Sequence, residues 1–361
     1  MTGFASVSKS LLYASIGLLL AAGAANAGSM VPITEVPGAV QFSTSALGIT
    51  NKGVLAGSYM GADGHSHGFV GPDGEYTIFD VGTNGTQPRA INNSGYIIGL
   101  SNADTNPVLD GFMFEGTPSL TFTPITMSGV QMLGIPQGIN DDGLFVGGYH
   151  PALGTPSQVN GFYGLNSQYA QELTLPFATI QIRVRGINKK GTVVGLYFGS
   201  DGITHGFIVK NGVVSVVTYP DPTATGTNLE GINDKGDMAG SWNDVNGFSH
   251  SFLLNSDLTT YTSVEPVGSA DNQAWGINKD GEVVISSDIG PFIYCTAGDV
   301  GLCKVKKTKK AVKENVVRAS VKSFACINNC RSSGPIRGVR AAGTVVERPL
   351  TARQKLYRRP Q

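Results

Sequence analysis

One polar position recurs ahead of Gly-Phe or a similar apolar pair: His67, Asp110, Asn160, His205 and His250, with Gly290 in the sixth instance. Three imidazoles, a carboxylate and an amide on one rim have the chemistry to hold a metal or a polar ligand. The plainer reading, and the favoured one, is that each hydrogen-bonds its own loop while the following Phe packs between sheets. The loops before these positions, 60–66, 101–109, 150–159, 198–204 and 243–249, differ in length and content, as recognition loops on a rigid frame do. Asp63-Gly64, Asp201-Gly202 and Asn243-Asp244 resemble calcium loops, but none has the alternating acidic ligands and distal Glu of an EF-hand, so calcium is a weak alternative. No metal site is assigned, and no catalytic residue: G-x-S-x-G, H-E-x-x-H and the phosphate-binding G-x-x-x-x-G-K-[ST] are all absent.

The four cysteines, Cys295, Cys303, Cys326 and Cys330, fall at or beyond the end of the recurring pattern. An even count in an oxidising compartment favours disulfides, and proximity favours Cys295 with Cys303 and Cys326 with Cys330, although three connectivities exist. The rival, a zinc site, lacks paired C-x-x-C spacing, and all five histidines lie far upstream.

These positions are carried by a phrase repeated six times, G-I-N-x-x-G and an apolar run, opening at Gly48, Ala90, Gly138, Gly186, Gly231 and Gly276, in steps of 42, 48, 48, 45 and 45 residues. Repeats of that length mean a stacked or circular architecture. Asn140-Asp141-Asp142-Gly143 and its equivalents fit a type I turn whose Gly closes a hairpin, which accounts for the asparagines without a ligand role. Within one repeat, 89–125 reads as four short strands, the unit of a β-propeller blade. Glycines inside strands, as in Val194-Gly195-Leu196, suit close approach of another backbone near an axis. The last repeat stops at Cys295 without a fourth strand, while 31–37 supplies a spare one. The expectation is an all-β fold, a six-bladed β-propeller of four-stranded blades closed by the N-terminal strand, over 28–294; a stacked solenoid is the alternative.

The repeated G-I-N-x-x-G, the V-V-G-like strand and the later His-Gly-Phe, as in Gly186 to Phe207, resemble the HAF-type repeats of probable extracellular bacterial proteins. The resemblance covers 31–294 and implies secretion and a β-rich repeat fold, with no activity attached to particular positions. The start agrees: Lys9, the apolar run 11–22 and Ala25-Asn26-Ala27 read as a secretory signal peptide over 1–27, too short to span a bilayer as an anchor.

The net charge of zero hides a split: 301–361 hold 16 Lys and Arg against Glu314 and Glu347, leaving 10 basic and 24 acidic residues upstream. The basic tail, 295–361, has few large apolar residues and reads as mostly disordered. It is a solvated extension, a contact for anionic surfaces, or the product of an altered reading frame; with almost no aromatics it is not a specific nucleic-acid binder. The functional expectation is an exported binding or scaffold module, extracellular or in the periplasm or cell envelope, read as a monomer with a protein or glycan ligand. The alternative is a secreted hydrolase or lyase working in the propeller channel, whose residues would come from separate blades.

Overall fold

The computed structural model describes residues 28–83, 85–101, 110–114, 123–124, 126–127, 130–131, 134–150, 159–165, 171–176 and 181–296, with backbone alone between 110 and 131. By contacts the chain divides at Val316/Val317, and every described residue belongs to the first unit. The expected signal peptide lies outside the described residues, as does the tail from 297 on with Cys303, Cys326 and Cys330; Cys295, expected to open the tail, instead ends the last strand and pairs with Ser29. Among the described residues there is no helix, and none long and apolar enough to cross a membrane.

The strands form antiparallel sheets that follow the repeats. The first runs Ser45–Ile49, Leu55–Met60, Ser66–Gly71, Thr77–Phe79; the second Thr86–Ile91, Ile97–Ser101, Asp110–Phe114, Thr123–Pro124; the third Gly134–Ile139, Leu144–Tyr149, Asn160–Leu165, Gln171–Leu173. The fourth, Gln181–Ile187 to Val213–Val217, and the fifth, Gly226–Ile232 to Tyr261–Ser263, are joined by one parallel bridge, Thr204 to Gly226. The sixth combines Asn272–Ile277, Val283–Ser287 and Phe292–Cys295 with Ser29–Pro32 from the chain's start. A short hairpin, Thr126–Met127 with Val130–Gln131, stands apart.

The N-terminal pairing lies earlier than the sequence suggests. Ser29 faces Cys295 and Pro32 faces Phe292, whereas 33–36 are not strand. Pro32 has no N–H to extend the ladder, and after a last bond from Ile33 N–H to the Pro291 carbonyl (2.9 Å) the chain turns inward. Ile33 and Val36 are then buried with Leu55, Phe69 and Ile293.

The first strands of consecutive sheets pack on one another, and Asn272–Ile277 packs in turn on Ser45–Ile49. Close approach requires glycine: a Cβ on Gly231 would strike the Trp275 carbonyl, and one on Gly195 the Arg183 carbonyl. The Phe of the His-Gly-Phe segment is core, with Phe69, Phe162, Phe207 and Phe252 fully buried. Phe207, for example, packs with Val146 of the third sheet and Val184 of its own. Each such burial contributes about 1.5–3 kcal/mol, so the contacts between sheets carry much of the stability.

Candidate functional site

The first strands have two ends with different chemistry. At the C-terminal end the repeated asparagine works twice. Asn188 Oδ1 accepts the N–H groups of Lys190 and Thr192, each at 3.0 Å, which closes the expected turn. Its Nδ2 donates to the carbonyl of Asn233 in the next sheet at 3.0 Å. The same link runs Asn92 to Asn140 (2.9 Å), Asn140 to Asn188 (3.1 Å), Asn233 to Asn278 (3.0 Å) and Asn278 to the Thr50 carbonyl (3.3 Å). The following residue adds a second tier, with Asn51 N–H on Asn93 Oδ1 (2.7 Å), Lys189 N–H on Asp234 Oδ1 (2.8 Å) and Lys279 N–H on Asn51 Oδ1 (2.9 Å). Turn chemistry alone thus accounts for the Oδ1 bonds and misses the amide links, which join one sheet to another, 45 to 48 residues apart in four cases and 228 apart from Asn278 to Thr50.

Toward the other end, every first strand carries a register shift at the residue before the repeated glycine. Val184 pairs with Gly195 and Gly186 with Val194, so Arg185 is left over. The same irregularity leaves Leu47, Arg89, Gln137 and Glu230 unpaired, and falls at Trp275 in the sixth sheet. A bulge re-aims its extra side chain. Leu47, Gln137, Arg185, Glu230 and Trp275, with Ala90 beside Arg89, line a central space of about 80 Å³. Below it come Ile49, Ile91, Ile139, Ile187, Ile232 and Ile277, all buried, and beyond them a second space edged by the asparagine turns.

The electrostatics of the bulge layer are lopsided. Arg89, Arg185 and the more exposed Arg183 face one carboxylate, Glu230, whose side chain is 1% exposed. Arg185 Nε stands 3.1 Å from Glu230 Oε2 as an ion pair, without the alignment of a hydrogen bond, while Gln273 Nε2 donates to Glu230 Oε1 at 3.0 Å. Burial raises the Glu230 pKa, opposed by Arg185, Gln273, Arg89 and Arg183. Burial and then the charge of Arg185 lower Arg89 to about 10. Arg89 Nη2 donates to Gln87 Oε1 at 2.9 Å, but its Nε is buried without an acceptor, as is Trp275 Nε1. The Arg185 guanidinium lies 5.8 Å from the centre of the Trp275 ring.

The rim residues stay apart, each tied into its own sheet. His67 lies between Asp80 (3.0 Å to Nδ1) and Asp63 (3.1 Å to Nε2) and stacks on Tyr59. Burial would lower its pKa, but the hydrogen bonds to Asp80 and Asp63 outweigh that and raise it. His205 meets Asp201 at 2.8 Å and stacks on Tyr197; His250 meets Glu265 at 2.8 Å and stacks on Trp242. Asn160 donates to Glu172 Oε1 at 2.7 Å. Asp110 pairs with Ser101 through the backbone, and its side chain lies outside the described residues. Asp63 and Asp201 are each held below the usual carboxylate range, first by the backbone N–H groups of His65 and Ile203. These aspartates thus brace their loops. Among the described residues no group of three His, Cys, Asp or Glu side chains is arranged to hold a metal ion.

The bulge layer is hidden in the sequence because its residue changes from each repeat to the next. The available signal was a slot changing from Leu to Arg, Gln, Arg, Glu and Trp beside a nearly fixed Gly-Ile-Asn.

No family model matches the chain, and no curated protein does. Solved structures resemble it in fold. A putative TolB from Agrobacterium tumefaciens aligns over 75% of this chain and 98% of its own, at 13% identity and a TM-score of 0.50. Virginiamycin B lyase from Staphylococcus aureus covers 74% of this chain and 98% of its own, at 12% identity and a TM-score of 0.45. Aleuria aurantia lectin with bound alpha-methyl-L-fucoside covers 72% and 97%, at 9% identity and a TM-score of 0.44. These are β-propeller proteins, and the likeness to the TolB structure is one of fold.

Proposed function

We propose that this chain is an exported binding module of the HAF-repeat type: a six-bladed propeller, closed by its N-terminal strand, that presents a ligand-binding face at the bulge end of its axis. The pairing of Ser29–Pro32 with Phe292–Cys295 and the amide link from Asn278 to Thr50 support closure. The observation that carries the function is a coincidence of faces. Each second strand returns to the end where its first strand began, so the loops at 60–66, 198–204 and 243–249 stand on the same face as the bulge layer. The varied loops, the stacked His-aromatic pairs and the exposed Arg183 therefore lie on one side of a frame held by the other. A protein or glycan of the cell envelope or its surroundings is the ligand class for such a face. A bridge from Cys295 to Cys303 would pin the end of the last strand; mass mapping under oxidising conditions tests it, and a free Cys295 would remove it.

A glycan array probed with the mature protein and with a Tyr59→Ala, Tyr197→Ala, Trp242→Ala variant tests the binding reading. Binding that the variant loses while keeping its circular dichroism supports it; equal binding by both moves the ligand off this face. One observation favours the rival hydrolase or lyase: Glu230 is a buried carboxyl of raised pKa, suited to giving or taking a proton. Turnover in an ester and lactone screen, abolished by Glu230→Gln in a folded variant, would replace the binding module with an enzyme.

A further inference from the structure

We infer that the bulge layer is a binding site for a small oxyanion, held by Arg185 and Arg89 above the isoleucine layer and beside Trp275. This takes its setting from the binding-module reading, but its ligand class comes from separate geometry.

The count of charges and hydrogen-bonding groups points to an anion. Arg183 is exposed and screened by solvent, so Arg185, which lines the central space, and Arg89, next to the lining residue Ala90, set two largely buried guanidiniums against the one carboxylate of Glu230 and leave one positive charge uncompensated. Buried charges without partners are costly, and proteins rarely retain them without something to satisfy them. Among the described residues of this layer three buried donors lack a hydrogen-bond acceptor, Arg89 Nε, Arg185 Nε and Trp275 Nε1, against one buried acceptor left over, Glu230 Oε2, already 3.1 Å from Arg185 Nε. A cation would worsen this imbalance, and neutral water would leave the charge uncompensated. An anion corrects both.

The shape narrows the class. A guanidinium presents paired N–H groups that match two oxygens on one centre, which a carboxylate, phosphate or sulfate offers and chloride does not. About 80 Å³ admits such a group with a few waters but no large body. The buried isoleucines below give an apolar floor, so the rest of a larger ligand must extend upward past exposed Arg183 toward the loops. Trp275 offers a ring face beside Arg185 for the first atoms beyond the charged group. The oxyanion is therefore either free or the charged end of a loop-bound molecule.

Trp242 and Trp275 are the only tryptophans, so Trp242→Phe leaves an indole reporter inside the site. Its fluorescence, read in the full chain at constant ionic strength, is titrated with acetate, glucuronate, phosphate and sulfate against chloride. The expected result is saturable change with at least one oxyanion and none with chloride, weakened about tenfold by Arg185→Gln. Gln is chosen because Gln137 occupies the same slot in the third sheet. Saturation by acetate and glucuronate alone assigns a carboxylate; saturation by phosphate and sulfate alone assigns a tetrahedral anion. If Arg185→Gln loses its circular dichroism, Arg183→Gln at the exposed mouth replaces it, with about threefold weakening expected. No saturation with any oxyanion, an identical chloride curve, or an affinity unchanged in the folded arginine variant would overturn the inference. Glycan binding without an anion response would sink this inference alone, and anion binding without any loop-face ligand would sink the broader reading alone.

Discussion

The two ends of the first strands teach opposite lessons from the same six-fold pattern. At the turn end the residue is nearly constant, and its polar atoms are used: Asn140, Asn188, Asn233 and Asn278 each cap a turn and bond to the next repeat. At the bulge end the slot is geometrically constant but chemically free, running through Leu47, Arg89, Gln137, Arg185, Glu230 and Trp275 and leaving buried donors unused. Repetition marks what holds the sheets together, and variation at a fixed geometric position marks what can face a ligand. Damage at the turn end should therefore appear as lost stability, and damage at the bulge end as lost binding.

The hardest break of the strand-to-strand frame is Gly231→Ala. The new methyl meets the Trp275 carbonyl, backbone that cannot step aside, and the expected loss is about 3 kcal/mol in denaturant unfolding. A loss under ~1 kcal/mol would mean the strands are not closely packed there. Next, Asn188→Ala removes one buried donor and an acceptor of two backbone bonds, for an expected loss of about 2 kcal/mol, or roughly 5 °C in Tm.

Thr50 sharpens the comparison in the other direction. Its Oγ1 accepts the Val54 N–H at 3.0 Å as an asparagine would, but it has no amide to reach toward Asn92. Thr50→Asn should complete the set of links and raise stability by about 1 kcal/mol, read as a higher Tm. No gain would show that the amide links are incidental to holding the sheets.

The smallest effect belongs to the rim. The His67 pKa is raised, so its stabilisation is fully present below the ordinary value of about 6.5 and is lost as pH climbs through the raised value. His67→Gln should flatten the dependence of Tm on pH across that window while leaving the alkaline Tm nearly unchanged. An unaltered profile would mean that Asp63 and Asp80 hold the loop without the charge.

Much of the frame is legible in the sequence because its causes are local. Asn140 to Gly143 form a turn within four residues, with Gly143 at φ 78°, and the in-strand glycines mark close approach without any knowledge of the partner. The rim histidines also behave locally, as His205 with Asp201 shows. The amide links are not legible, because Asn188 and Asn233 meet only once two sheets stand side by side. The bulge is hidden for another reason. Arg185 reads as an ordinary alternation in a strand until its unpaired register is seen, and its slot carries no repeated residue to mark it.

The most direct test sets one residue from each end side by side: Tm of the parent, Asn188→Ala and Arg185→Gln, each with and without saturating concentrations of the oxyanion that Trp275 fluorescence identifies. Asn188→Ala should melt roughly 5 °C lower yet keep its full rise in Tm on adding the anion. Arg185→Gln removes the nearest partner of buried Glu230 and so also melts lower, but unlike Asn188→Ala it should lose most of that rise. The reverse pattern, an Arg185→Gln that keeps its full response to the anion beside an Asn188→Ala of normal stability, would contradict the division of labour between the two ends.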